Sequence, residues 1–463
     1  MADGTEHGIH VLLLPYPSQG HINPILQFGK RLAAHRGVRC TLAATRFVLS
    51  QGHPPSPGTA VRVAAISDGC DRGGLSEAGG VEAYLRRLEA AGSETVARLL
   101  RSEAERGRPV HVVVCDAFLP WAPRVARRHG AASAVLFTQP CAVDVAYAHA
   151  FAGRIRPPLA DERELAELLP GLPAGLRRRD MPSFLVEPSD NTAYLDLLVG
   201  QFNGLDTADH VLVNSFHELQ PQESDYMAST WRAKMVGPTV PSAFLDKSLP
   251  DDTAYGFHLY TPLTATTKAW LDGRPRRSVV YASFGSISAP GPVQMAEVAE
   301  GLYNSGKAFL WVVRASETEK IPESFADRAK ERGLIVTWCP QLEVLAHPAV
   351  GCFVTHCRWN STTEALSAGV PMVAVPQWSD QPMNAKYIED VWQVGVRVRP
   401  DKEGVVRQEE IERCVGEVMD GERSMEYQQN AAGWKEKAKR AVSEGGSSHN
   451  NILEFLCKLG LKV

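Results

Sequence analysis

Short apolar runs of strand length recur along the chain. They alternate with longer stretches in which apolar residues return every three or four positions. In the first half the strand-like runs are residues 9–14, 40–44, 61–66, 110–115, 134–137 and 210–214, with helical patterns at 24–35 and 81–105 between them. The second half repeats the rhythm at 278–284, 309–313, 334–337, 352–355, 372–375 and 394–398. Most of the runs are largely apolar rather than strictly alternating, as strands buried on both faces require. Two sets of about six such strands predict an α/β chain of two doubly wound, Rossmann-like domains.

Residues 239–264 are rich in Pro, Asp, Thr and Tyr and carry no sustained periodicity. They mark a linker. The expected division is 1–240, a linker at 241–264, a second domain at 265–445, and a terminal segment at 446–463. Residues 154–190 form a second irregular stretch, long for a loop and therefore a candidate for function. Residues 422–442 read as a helix, Gly445 to Ser448 as a break, and 450–459 as a last short helix. No repeat or low-complexity segment interrupts the pattern.

Composition narrows the class. The chain has 463 residues, 44% hydrophobic and 22% charged, with a net charge of −4. That describes a soluble globular protein with material for two cores. No global basic field invites nucleic acid or a membrane, and the arginine runs at 124–128 and 177–179 read as solvated faces. The nine cysteines show no C-x-x-C pairing, which fits free thiols in a reducing compartment. The first residues lack a basic region followed by an apolar stretch. The run 9–14 is far too short to span a bilayer. A cytoplasmic protein without membrane insertion is expected, and a monomer.

Candidate chemistry begins where the first strand ends. The turn Y-P-S-Q-G-H-I-N-P holds His21 ahead of a helix opening near Pro24. In an open α/β sheet, ligands bind beyond the carboxyl ends of the strands. A neutral imidazole there can take a proton from a hydroxyl; a capping or surface histidine is the plainer alternative. Asp116 ends the strand V-H-V-V-V-C-D at the same rim. A carboxylate on one imidazole nitrogen orients the ring and stabilises the imidazolium; alternatively Asp116 caps the segment that follows. Thr138, beyond the run 134–137, offers its hydroxyl to a ligand or caps the next helix.

In the second half, the run 278–284 enters the small-residue turn Gly285-Ser286, where backbone N–H groups can approach phosphate oxygens. Neither a Walker A sequence nor G-x-G-x-x-G is present. The strand 352–355 leads to His356, with a helix expected to start near Asn360 or Ser361. Its N-terminus suits a diphosphate. Glu364 falls at a capping-box position or faces a ligand. Trp338 stacks on a base or fills a core. His347, Cys352, His356 and Cys357 lack the spacing of a zinc site, and no metal is expected.

Residues 338–381 read W-C-P-Q, then H-C-R-W-N-S-T-T-E, then P-Q-W-S-D-Q. Together with G-H-I-N-P, V-N-S-F-x-E-L at 213–219 and V-x-Y-x-S-F-G-S at 279–286, they resemble plant family 1 UDP-glycosyltransferases over nearly the whole chain. The resemblance implies the GT-B fold, two Rossmann-like domains facing across a cleft, with the last helix crossing back to the first. It implies UDP-glucose as co-substrate, a small-molecule acceptor, no cofactor and no metal. His21 and Asp116 would be catalytic. Trp338 would stack on uracil, Cys339 bond the base through its backbone, and Gln341 and Glu364 hold the ribose. Ser286, His356, Asn360 and Ser361 would meet the diphosphate. Trp359, Asp380 and Gln381 would face the hexose, Gln381 being the family's glucose-type residue. Thr138 joins the donor set. Phe118, Trp121, Phe184 and Phe202 are candidates for an apolar acceptor pocket.

The implied reaction is inverting O-glucosylation giving a β-glucoside, as in detoxification or plant secondary metabolism. The chain is also similar to monocot glucosyltransferases that conjugate trichothecene toxins such as deoxynivalenol. One residue departs from the box: Arg358 stands where the family has glycine. A left-handed φ there would cost about 1–2 kcal/mol. The alternative is therefore a catalytically impaired UDP-sugar-binding protein. A UDP-sugar epimerase on a similar fold is disfavoured by the match to the box.

Overall fold

The computed structural model describes residues 8–52, 60–159, 165, 169–187, 192–257 and 260–461. The N-terminal residues that bear on a leader lie outside that set. So do residues 258–259 of the expected linker and 160–164, 166–168 and 188–190 of the irregular stretch.

The chain folds as two compact units, Met1–Leu259 with Arg440–Val463, and Tyr260–Lys439. The first is built on a parallel sheet of β1 (Ile9–Leu14), β2 (Val38–Thr45), β3 (Val61–Ile66), β4 (Val112–Asp116), β5 (Ala132–Phe137), β6 (His210–Val213) and β7 (Lys234–Met235). Its order is β3-β2-β1-β4-β5-β6-β7. The second unit holds β8 (Val279–Ser283), β9 (Ala308–Val312), β10 (Gly333–Val336), β11 (Val350–Thr355), β12 (Met372–Ala374) and β13 (Gly395–Arg397) in the order β10-β9-β8-β11-β12-β13. Both are doubly wound Rossmann-like sheets. In each, the winding reverses beside the first strand, between β1 and β4 and between β8 and β11.

Central strands are buried along their whole length, which is why their sequences do not alternate. Val11, Leu13, Val112, Val114, Ile25, Phe28 and Leu32 share one core in the first unit. Val280, Ala282, Trp311, Val354, Val373, Ile411 and Val415 share another in the second. The final helix, Ser447–Lys458, brings Phe455 within 6.2 Å of Phe28 in the first core. Ser448 donates to the Gly237 carbonyl at 2.6 Å.

Three elements differ from expectation. β7 is a two-residue edge strand with no apolar run to announce it. The first helix spans Gln19–Ala33, opening well before Pro24. Its first turn closes because the Ser18 carbonyl accepts from His21 N at 3.0 Å and Ile22 N at 2.9 Å. The third is the aperiodic stretch after residue 239, which is held by side chains instead of periodicity. Arg31 forks onto Asp246 at 3.1 and 3.0 Å. Lys30 reaches Asp252 at 2.9 Å and the Ala254 carbonyl at 2.6 Å. Gln19 donates to the Phe257 carbonyl at 2.9 Å. The helix that carries His21 is thus anchored at both ends to this stretch.

Asp246→Ala leaves the buried Arg31 guanidinium without its carboxylate. The expected loss is about 3–5 kcal/mol, read as a lower urea midpoint for the first unit. Replacing both members by Arg31→Met and Asp246→Leu should recover most of it.

Candidate active site

His21 lies in the first turn of the helix that follows β1, and Asp116 is the last residue of β4. β1 and β4 are paired neighbours, Leu14 beside Cys115, so both side chains reach the crevice where the winding reverses. His21 Nδ1 stands 2.8 Å from Asp116 Oδ2. A carboxylate only accepts, so this contact assigns the proton to Nδ1 and leaves Nε2 with a lone pair. The Asp116 side chain is fully buried and that of His21 16% exposed, which fixes the orienting group and leaves the ring reachable. Asp116 Oδ1 also accepts from Phe118 N at 3.0 Å, so the same carboxylate shapes the turn beyond β4.

Thr138 Oγ1 lies 3.1 Å from His21 Nδ1. It does not cap the next helix, Cys141–Phe151, whose N-cap is Pro140. Phe118 packs its ring 4.7 Å from the imidazole, and Tyr16 meets the same ring edge-on at 5.3 Å. Burial pushes the Tyr16 phenol upward, and it stays protonated. Tyr16 was missed in the sequence, although it directly follows the first strand at the same rim. The other apolar candidates have packing neighbours of their own. Trp121 lies against Gly92, Phe184 stacks on Tyr194 at 5.7 Å, and Phe202 sits among Phe137, Phe151 and Trp231.

In the second unit β8 and β11 are the pair at the reversal, Ser283 beside Thr355. Ser286 follows the first and His356 the second. Gly285 has φ 74°, and a Cβ there would sit 2.6 Å from His356 Nε2. Only glycine serves at that position, on both counts. His356 is buried. Burial, aided by the charges of Arg358 and Arg314, lowers its pKa to about 3 against a hydrogen bond that the ring donates to the Ser283 carbonyl. The imidazole is therefore neutral, and its Nδ1 has no hydrogen-bond partner among the described residues.

The helix after β11 spans Trp359–Ala368 with Arg358 at its N-cap. It begins one or two residues earlier than expected, so Asn360 and Ser361 belong to its first turn and do not cap it. Glu364 is not a capping-box residue. It accepts from Gln341 Nε2 at 2.6 Å. Gln341 also donates to Ser361 Oγ at 3.0 Å and accepts from Tyr281 OH at 2.9 Å. One network therefore ties β8, the helix Gln341–Ala346 and the helix Trp359–Ala368 together. Tyr281, inside an apolar strand, gave no sequence signal for this. Cys339 is buried beside it, and burial pushes its thiol to about 12; it is not a nucleophile. Trp338 is half-buried and stacked on Tyr260 at 4.4 Å.

Trp359 is buried against Trp392, and its backbone N–H donates to Asp380 Oδ2 at 3.2 Å. Asn384 donates to the same oxygen at 2.7 Å. Gln381 Oε1 accepts from Gln377 N at 2.8 Å and Trp378 N at 3.3 Å. Its buried Nε2 has no partner among the described residues. Buried polar atoms left unpaired are costly. Two of them, on His356 and Gln381, follow neighbouring strands β11 and β12 at the same edge.

Arg358 does not carry the expected strain: φ is −63°. The left-handed residue is Cys357, at 54°. The guanidinium lies 4.8 Å over the Trp378 ring, and its Nε is 3.8 Å from Asp380 Oδ1. Among the described residues no group of three or more His, Cys, Asp or Glu could hold a metal ion. No helix among them is long and apolar enough to cross a membrane.

The family model for UDP-glucoronosyl and UDP-glucosyl transferase matches residues 248–432. The UDP-glucosyltransferase UGT13248 of Hordeum vulgare subsp. vulgare is 53% identical, over 97% of this chain and 94% of its own. UDP-glycosyltransferase 79 of Oryza sativa subsp. japonica is 50% identical, over 98% and 97%. The crystal structure of Os79 from O. sativa in complex with UDP matches with TM-score 0.91 and 50% identity, covering 97% of this chain and 100% of that one. The structure of UDP-glucose: anthocyanidin 3-O-glucosyltransferase in complex with UDP matches with TM-score 0.82 at 27% identity, covering 97% and 98%.

The state of His356 has a consequence for stability. Its folded pKa, about 3, lies below the unfolded value of about 6.5. The unfolded chain takes the proton first, so stability present above pH 6.5 is lost as pH falls toward 3. The slope is about 1.4 kcal/mol per pH unit. His356→Gln should lose that share of the slope between pH 6.5 and 5 in denaturation curves; equal slopes would contradict the buried, neutral assignment.

Proposed function

The chain belongs to the plant family 1 UDP-glycosyltransferases, and we propose that it transfers glucose from UDP-glucose, with inversion, to a hydroxyl of a small lipophilic acceptor. Its two Rossmann-like sheets are those of the GT-B fold. The observation that carries the reading is the His21–Asp116 contact of 2.8 Å at the sheet's reversal point, because a protein that only bound a nucleotide sugar would have no use for an oriented base.

In the proposed reaction, His21 Nε2 takes the proton of the acceptor hydroxyl. The oxygen attacks the anomeric carbon from the face opposite UDP. The bond to the diphosphate breaks, and the β-O-glucoside and UDP leave. Asp116 keeps the proton on Nδ1 and stabilises the imidazolium. Charge developing on UDP is met by N–H groups at the start of the helix Trp359–Ala368 and by Ser286, Asn360 and Ser361. His356, buried and neutral, brings no charge of its own to the diphosphate seat. Trp338 is the platform for uracil. Gln341 and Glu364, already joined, present the ribose with a fixed acceptor pair. The partnerless amide nitrogen of Gln381 is reserved for a glucose hydroxyl, with Asp380 beside it.

The acceptor reading rests on Phe118 and Tyr16, which give His21 an apolar flank. Os79 was crystallised in complex with U2F and trichothecene, and that structure matches with TM-score 0.88 at 48% identity. A trichothecene or another specialised metabolite with an accessible hydroxyl is the proposed acceptor class. One observation favours a second reading. Arg358 draws on Asp380 at 3.8 Å, and a carboxylate held by a cation is less available to a hexose. In that reading the protein binds UDP-glucose weakly and transfers poorly.

A transfer assay with UDP-glucose and a panel of hydroxylated acceptors separates the two. The leading reading expects a β-glucoside from the native chain. It expects a kcat loss of about 10²–10⁴ for His21→Ala and about 10⁴ for Asp116→Asn, with UDP affinity unchanged in both. The second reading expects product only from Arg358→Gly.

A further inference from the structure

The loop after β8 is held from behind by a residue outside the family box. Arg314 follows β9 and donates through Nη1 to the Ser286 carbonyl and through Nη2 to the Ser288 carbonyl. Its side chain is 14% exposed, and Glu317 Oε1 lies 3.5 Å away. Further ties hold the same loop. Tyr260 OH donates to the Ser286 carbonyl at 3.4 Å. Ser288 Oγ donates to Gln377 Oε1. Lys320 reaches the Pro290 carbonyl at 3.1 Å and also pairs with Glu317.

Peptide planarity turns this clamp into a statement about direction. In a trans peptide the C=O of one residue and the N–H of the next point opposite ways. Two carbonyls drawn to one guanidinium therefore aim the N–H groups of Ile287 and Ala289 away from Arg314. Neither N–H has an acceptor among the described residues. A loop with its carbonyl oxygens turned inward and N–H groups turned outward is an anion seat. The fork geometry of arginine allows one side chain to hold both carbonyls, which a lysine ammonium does not reproduce.

We propose that Arg314 is a positioning residue for the donor diphosphate: it orients the loop 286–289 so that its N–H groups and the Ser286 hydroxyl face the phosphates. The inference rests on the reading of Ser286 as a diphosphate contact. Arg314 also adds positive potential there, since its charge is felt at His356. It acts on the phosphates through the loop and not on the base, whose platform is Trp338.

Calorimetric titration of UDP and of uridine into the full-length protein tests this, because uridine carries the base and ribose without the diphosphate. Arg314→Lys and Arg314→Gln should weaken UDP binding at least tenfold, raise KM for UDP-glucose in parallel, and leave uridine affinity unchanged. Glu317→Gln keeps Arg314 in place but frees its orientation, and should show a smaller loss of the same kind. It serves where an Arg314 variant fails to fold. An equal loss of UDP and uridine, or no loss of UDP in the folded variants, overturns the proposal. Ser286→Ala separates it from the reading beneath it. If Ser286→Ala leaves UDP binding intact, the loop is not the diphosphate seat. If Ser286→Ala weakens UDP and the Arg314 variants do not, the seat stands and the clamp falls.

Discussion

The structure depends on one topological constraint, used once in each unit. A parallel sheet wound outward in both directions from its first strand has a single place where neighbouring connections leave toward opposite faces. There the strand ends are not covered by a crossover, and a crevice opens. β1 and β4 frame it in the first unit, β8 and β11 in the second. Most residues with a proposed chemical task follow those strands or their neighbours; Trp338 and Gln341 follow β10, one strand further out. The first crevice holds an imidazole set on a carboxylate; the second holds a glycine turn and a helix N-terminus, the proposed seat of an anion. The fold makes the two places, and the loops beyond the strands decide what each does.

The electrostatics of the two places are opposite. His21 is partly exposed and paired with a buried carboxylate. His356 is buried, flanked by two arginines and kept neutral. The same residue type is thus the proposed base in one crevice and a buried neutral ring in the other. Arg358 belongs to this contrast. It stands at a helix N-cap without backbone strain, and its charge is spent on Asp380 and on the Trp378 ring.

Much of this was legible in the sequence, for physical reasons that differ by element. Buried strands write themselves as largely apolar runs, so twelve strands were expected near their observed places. β7 has no buried run of its own and left no trace. His21 and Asp116 could be placed at one rim because strand ends are predictable once strands are, whereas the roles of the box residues came from the family resemblance. Helix starts were less so. The first helix opens at Gln19 because a backbone carbonyl closes its turn, which composition does not record. The partners in tertiary networks were not legible at all. Tyr281 reads as a core aromatic until Gln341 is seen to accept from it. Arg314 reads as a strand-end charge until two carbonyls are seen to converge on it. The aperiodic stretch near residue 250 hid its order in ion pairs to the first helix.

The central claim is a division of labour: nucleotide at the β8/β11 crevice, proton transfer at the β1/β4 crevice. A crystal structure of the UDP complex tests it most directly. The expected result is the diphosphate within hydrogen-bonding distance of Ser286 and of the first turn of the helix Trp359–Ala368, with uracil against Trp338 and His21 free of phosphate. UDP seated beside His21 and Asp116 instead would contradict it.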